Sequence, residues 1–439
     1  GAASIYGSRA SNGVVIITTK RGRGKTRIAY DGYYGTQRPK VKNPYNMLNP
    51  QDQANLKWIA LRNTAELNNE TVEYNDPIYG SGAAPVLPDY ILPFGKKEGD
   101  PAVNPSLYYV NPNYTETSDL NSFYQIIRAN KTGTDWMSEL FSPAPIQSHN
   151  LSASGGTDQG SYLFSMNYFN QQGVLMNTYN KRYTLRANSE YKFNKNVRIG
   201  ENLSYSIIDN PRIGILSEGN DISMAYRQQP IIPVYDIMGN YAGTTGGKIG
   251  QATNPVANRQ RSINNKGLAN RLFGNVYGEI DFLKSFTFRT SFGGEYYSYS
   301  GRYFNYPTYE NAENSQSNSY GEYAGSGFNW VWSNTVTYSQ SFGDHNLKVV
   351  AGTEAINEGG TSLDANTTNY FSFSSDYTTL TTGAGAATHS SGRYSRSLAS
   401  LIGRIDYNYK GRYLLGATVR RDGSSAFGPD NKYGVFPAF

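Results

Sequence analysis

The sequence contains no cysteine. That excludes a disulfide framework, thiolate metal sites, a thiol nucleophile and a lipid anchor on cysteine within this chain. Long apolar runs are also missing. The longest are stretches such as Val14-Val15-Ile16-Ile17, far short of the ~20 residues a spanning helix needs. Charge is sparse at 17%, and Lys+Arg 40 against Asp+Glu 34 leaves +6 spread along the chain. No basic block marks a nucleic-acid surface, so no nucleic-acid partner is expected. The histidines, His149, His345 and His389, are far apart without metal-type spacing and read as surface or rim residues.

Catalytic patterns are missing too. There is no Gly-x-Ser-x-Gly elbow, and the scattered carboxylates offer no pair that can be argued onto one catalytic face. Gly24-Lys25-Thr26 lacks the phosphate-loop glycine, because position 19 is Thr. Asp422-Gly423-Ser424-Ser425 with Asp430-Asn431 lacks the alternating acidic ligands and closing Glu of a calcium loop. The expectation is therefore no enzyme, no cofactor and no metal. What is abundant is glycine and tyrosine, Gly 46 and Tyr 38 among 439 residues. So many aromatics with so little charge exclude a disordered chain. The chain opens Gly1-Ala2-Ala3 without Met and stops at Phe436-Pro437-Ala438-Phe439, which reads as an internal fragment.

Period-two alternation dominates. Tyr183, Leu185, Ala187 and Tyr191 alternate with Arg182, Thr184, Arg186, Asn188 and Glu190. Val197, Ile199, Leu203, Tyr205 and Ile207 continue the pattern, as do Phe286, Phe288, Phe292 and Tyr296. Phe328, Trp330, Trp332, Val336 and Tyr338, and later Leu401, Ile405, Tyr407 and Tyr409, repeat it. The chain is all-β. About eleven strands are expected, most of ~10–14 residues. They lie near 26–36, 147–156, 160–170, 181–193, 196–208, 269–283, 284–300, 326–340, 345–356, 398–409 and 412–421. Such lengths exceed the ~5–6 residues of soluble strands and suit a tilted bilayer crossing.

The connections alternate between long and short. Long ones are expected over 37–146, 209–268, 301–325 and 357–397, with a medium one over 171–180. Tight turns fall at 155–160, Asn194-Lys195, Leu283-Lys284-Ser285, 341–344 and Lys410-Gly411. Short turns on one rim and long loops on the other mark an antiparallel outer-membrane barrel. In that barrel the apolar face meets lipid, and the inward charges would be Arg186, Glu190, Arg289, Glu295, Arg404 and Asp406. Trp330, Trp332 and Tyr409, read as near strand ends, would suit interfacial girdles. Inside the first long loop, Asn49-Pro50 predicts a capped helix, and Asp135-Trp136 onward a short second one. The Pro/Tyr/Asn-rich stretch 76–117 is expected to pack on the barrel mouth.

The first 25 residues break this pattern. Asn12-Gly13 is a tight-turn dipeptide, Val14 to Lys20 a strand apolar on both faces at its start, and Arg21 to Lys25 a basic linker. The run Ile5-Tyr6-Gly7-Ser8-Arg9-Ala10-Ser11-Asn12-Gly13-Val14-Val15-Ile16-Ile17-Thr18-Thr19-Lys20 closely resembles the end of the plug domain in TonB-dependent outer-membrane transporters of the SusC/RagA type. Three further stretches resemble the same family's barrel: 135–152, Lys181 to Asn188, and Arg421 to Gly428. The resemblance implies a plug-end signature carried by Tyr6, Gly7, Ser8, Arg9, Asn12, Gly13, Thr18, Thr19 and Lys20. Residues 1–25 would end the plug. Residues 26–439 would form the N-terminal half of a barrel of roughly 22 strands.

The same resemblance implies the rest of the functional picture. The protein would import a nutrient, a glycan or a peptide with the glycan favoured, across a Gram-negative outer membrane. Energy would come from TonB with ExbB and ExbD, acting through a segment absent here, and a SusD-like lipoprotein would cap the mouth. Lipid and a small polymeric nutrient are the remaining partners expected. The alternative is a passive barrel or a β-rich surface adhesin without energised transport. A half barrel would also leave two unpaired edges, so the piece alone is expected to aggregate.

Overall fold

The computed structural model describes residues 21–39, 46–93, 96, 125–211, 219–246 and 248–439. The plug-end signature, and 97–117 within the stretch expected on the barrel mouth, lie outside the described residues. Twelve strands form one antiparallel sheet, each paired with its neighbours in sequence. They are β1 (Arg27–Gln37), β2 (Ala144–Gly156), β3 (Gly160–Gln172), β4 (Tyr179–Lys192), β5 (Val197–Asn210) and β6 (Lys266–Phe282). The remaining six are β7 (Phe286–Asn305), β8 (Ser319–Phe342), β9 (His345–Thr368), β10 (Thr388–Tyr409), β11 (Tyr413–Ser424) and β12 (Tyr433–Ala438). The meander is that of a barrel wall. No described helix is long and apolar enough to cross a membrane, which leaves crossing by strands untouched.

Four expectations need correction. Among the described residues the main sheet has twelve strands, not eleven. Gly434 and Pro437 interrupt the pattern in β12, although Pro is tolerated where one side of a strand is unpaired. Strands β7 to β10 run 20, 24, 24 and 22 residues, well beyond the expected length. The connections read over 301–325 and 357–397 therefore shrink to 306–318 and 369–387, because their Gly/Ser/Tyr-rich flanks pair as sheet. Trp330 and Trp332 consequently sit in the middle of β8 rather than near its end. Tyr409 does close β10, beside Tyr413.

The long/short alternation holds throughout. Long or medium connections at 38–143, 173–178, 211–265, 306–318, 369–387 and 425–432 share one rim; tight turns take the other. Some tight turns are mirror-type hairpins. Lys410 and Gly411 both have positive φ, as do Leu283 and Lys284.

The sheet has no dry interior of its own. The principal core lies in the connections. Helix α1 (Pro50–Asn68) begins where Asn49 accepts the Asp52 amide at 2.8 Å, with Pro50 in the first turn. It ends on Asn69 in the left-handed conformation. Helix α2 (Trp136–Leu140) is capped by Asp135, α3 (Asp221–Arg227) by Asn220 and α4 (Pro255–Arg261) by Asn254. These helices bury Ala54, Trp58, Trp136, Met137, Leu140, Ala225 and Val256 against Tyr79, Ile91, Ile127, Ile231, Ile232 and Ile249. We call this unit the loop cap. Leu175, Met176 and Tyr241 pack on it, so several connections of one rim share one core.

Candidate functional site

Register sorts the strand residues into two sets. One rung joins Tyr30, Leu151, Met166, Leu185, Tyr205, Leu272, Tyr296 and Phe328 across eight strands. It is apolar end to end, and most of its members are about half exposed. From Phe286 to Tyr296 the apolar face of β7 runs about ten residues, or ~25 Å along a membrane normal at a typical barrel tilt. Below it, at the tight-turn rim, aromatics gather: Phe282 with Phe286, Phe286 with Tyr338, and His345 with Tyr409. One polar couple interrupts this face near that rim, where Ser189 donates to Glu201 at 2.7 Å.

The other face carries most of the charges; Arg421, opposite Leu401, falls on the apolar side. Arg186, Glu190, Arg289, Glu295, Arg404 and Asp406 all fall on the charged face by register. They are not isolated. Glu279 pairs with Arg198 and, at 2.5 Å, with Arg289. Arg289 lies 4.2 Å from the centroid of the Tyr277 ring, and the Tyr277 hydroxyl donates to Glu190 at 2.6 Å. Arg271 reaches Glu295 at 3.5 Å, and Arg404 reaches Asp406 at 2.5 Å. Arg420 is nearly inaccessible, held by Glu354 at 2.7 Å, Asp422 at 2.6 Å and Ser400 at 2.8 Å. Charges this dense belong on a wet surface, since each would cost several kcal/mol in hydrocarbon. Sequence alternation located the face and the same-strand couple Arg404–Asp406, but not the partners on neighbouring strands, because cross-strand pairing depends on register.

The loop cap carries its own polar joints. Glu310, from 306–318, is fully buried and receives both terminal nitrogens of Arg261 at 2.6 and 3.0 Å. That guanidinium also lies over the rings of Tyr241 and Tyr309. The Arg261 pKa is raised. Burial pulls it down, but Glu310 more than compensates. For Asp76 burial pushes upward, yet Lys57 and the Ile78 and Tyr79 amides hold the carboxyl below its usual range. Asp221 goes the other way. Burial raises it, and Arg259 at 3.4 Å does not reverse the shift.

Curated relatives match the whole of this chain. TonB-dependent receptor P3 of Formosa agariphila is 26% identical over 100% of the chain and 38% of its own length. TonB-dependent receptor SusC of Bacteroides thetaiotaomicron is 24% identical over 100% of the chain and 39% of its own. The structure of the RagAB peptide transporter superposes with a TM-score of 0.76 at 23% identity, covering 99% of this chain and 46% of that one. No family model matches. The chain is SusC-like.

The SusC-like chain spans less than half the length of these relatives. Residues 21–24 are strapped to the charged face. Arg21 pairs with Glu190 at 2.5 Å and donates to the Tyr277 hydroxyl at 2.6 Å. Gly22 lies against the backbone of Gly155 and Tyr162, where a Cβ would collide with main-chain atoms. The Gly156 amide donates to the Gly24 carbonyl at 2.8 Å. The histidines stay apart. His149 meets the Tyr30 hydroxyl at 2.6 Å, His345 meets that of Tyr407 at 2.6 Å, and His389 lies in β10. Among the described residues no group of three His, Asp or Glu is placed to hold a metal.

Proposed function

We propose that this SusC-like chain belongs to an energised importer of nutrient oligomers, seated in the outer membrane of a Gram-negative bacterium. Residues 1–25 would end the plug, and 26–439 would be part of the barrel wall with its outward-facing connections. The apolar face would contact lipid, and the charged face would line a wet passage. The observation that carries the reading is the pairing of two features: one apolar and one charged face, and every long connection on a single rim. The strapping of Arg21, Gly22 and Gly24 to the charged face supports a plug entering from the tight-turn end. TonB, with ExbB and ExbD, would supply the energy. A SusD-like lipoprotein would close over the loop cap, and the cargo would be a glycan or a peptide.

The test is growth of a strain lacking the full gene on a panel of glycans and peptides, with and without TonB. Loss of growth on one nutrient, reproduced by loss of TonB, supports the importer. Growth that needs the gene but not TonB favours the passive barrel.

A further inference from the structure

Five tyrosines of the charged face share one geometry. Each stands directly across from a glycine of the adjacent strand: Tyr297 from Gly327, Tyr299 from Gly325, Tyr303 from Gly321, Tyr323 from Gly301, and Tyr394 from Gly360. Each ring reaches over that glycine. A Cβ at Gly325 or Gly327 would come within 2.5 Å of the facing ring, and one at Gly360 within 2.8 Å of Tyr394. The rings also adjoin one another. Tyr297 and Tyr299 are nearly parallel at 6.4 Å between centroids, Tyr323 is 6.3 Å from Tyr299, and the hydroxyls of Tyr297 and Tyr394 meet at 2.8 Å. Asp364 accepts from the Tyr303 hydroxyl at 3.3 Å. Ring atoms of each cover its facing glycine, and all five remain partly exposed.

An aromatic ring over a glycine is also a way to repair a weak point in a sheet. Tyr277 beside Gly200 and Tyr162 beside Gly155 do that singly. Five together, on one face and next to the connections 306–318 and 369–387, make a paved surface of flat apolar plates with polar edges. We propose that this tyrosine pavement is a binding track for a linear neutral glycan, its sugar rings laid on the tyrosine faces and its hydroxyls on side chains such as Asp364. A peptide would lack its usual partners here, because the strand backbone is consumed in the ladder. The proposal deepens the importer reading and rests on it.

The test uses the complete protein, purified from its own outer membrane. Binding is measured by calorimetry to hexasaccharides of α-1,4-glucan, β-1,4-glucan, β-1,4-mannan and β-1,4-xylan, and to a random hexapeptide mixture. Wild type is expected to bind at least one hexasaccharide. Tyr297→Leu with Tyr299→Leu, which still covers the glycines, should weaken that binding at least ten-fold; the matching Phe pair should stay within three-fold. If the Leu pair fails to assemble, Tyr323→Leu and Tyr394→Leu are read singly, with a three-fold loss expected. Unchanged saccharide affinity in the Leu variants, peptide binding in place of saccharide, or no saccharide binding at all overturns the proposal. Growth with and without TonB in the same strains separates the two readings. TonB-independent growth of wild type sinks the importer, whereas TonB-dependent growth with undiminished saccharide affinity in the variants sinks the track alone.

Discussion

In the loop cap, Trp58, Trp136 and Ile232 are shut away from solvent, whereas in the sheet Leu185, Met166 and Phe164 stand more than half exposed. The cap is built as a soluble domain is built: capped helices, a dry centre and buried ion pairs. The sheet has no dry centre, and its cohesion comes from a continuous ladder plus cross-strand pairs. One sequence thus answers two solvents. Where both sides of an element meet protein or water, apolar residues go inward. Where one side is argued to meet lipid, they go outward and the charges turn toward one another.

The contrast can be broken most severely in the cap. Trp136→Ala removes a ring whose indole N–H donates to the Gln229 carbonyl at 3.3 Å, and should cost about 3–5 kcal/mol of local stability. Hydrogen exchange would show it, with protection lost over 50–68 and 221–261 and kept in β2 to β11. Equal loss in both regions would mean cap and sheet are one cooperative unit. Next in size, Leu185→Lys places a charge on the apolar face and should destabilise the sheet in lipid by about 2–4 kcal/mol. Arg186→Leu, one residue on, should cost far less; denaturant titration in vesicles compares the two. Asn49→Ala should cost α1 about 1 kcal/mol, read as fraying of its first turn by exchange.

The smallest effects are in pH. Asp76 titrates low in the folded cap, so its contribution is present above the ordinary carboxylate value and is lost as pH falls through its own lower one. Asp221 is raised, so its contribution is full below the ordinary value and lost as pH rises through the raised one. As pH falls from the ordinary carboxylate value of about 4 through the lowered one, Asp76→Asn should flatten the loss of protection near 76–79. Asp221→Asn should remove the opposite slope around α3.

Much of the sheet was legible in the residues, because a period of two needs only a few strongly apolar positions such as Leu185 and Phe292 to declare itself. The upper halves of β8 and β9 were not. Ser, Gly and Tyr at 319–326, and Gly, Thr and Asn at 357–368, have no apolar face to report, and their pairing follows only from the strands beside them. The charged face could be read from Arg186 and Arg289, but Arg420 locked between Glu354 and Asp422 could not. Nor could the glycine beneath each tyrosine, since register is invisible in one strand alone. The caps of α1 and α2 were plain at Asn49-Pro50 and Asp135; the core they share with 231–256 was not, because its partners are far apart along the chain.

The central claim is that the two faces of this sheet see different solvents. Single cysteines introduced at 183 through 188 into the complete protein, spin-labelled in native outer-membrane vesicles, test it directly. Collision with oxygen should dominate at 183, 185 and 187, and collision with a water-soluble nickel chelate at 184, 186 and 188. Equal or inverted accessibility of the two sets would contradict the account.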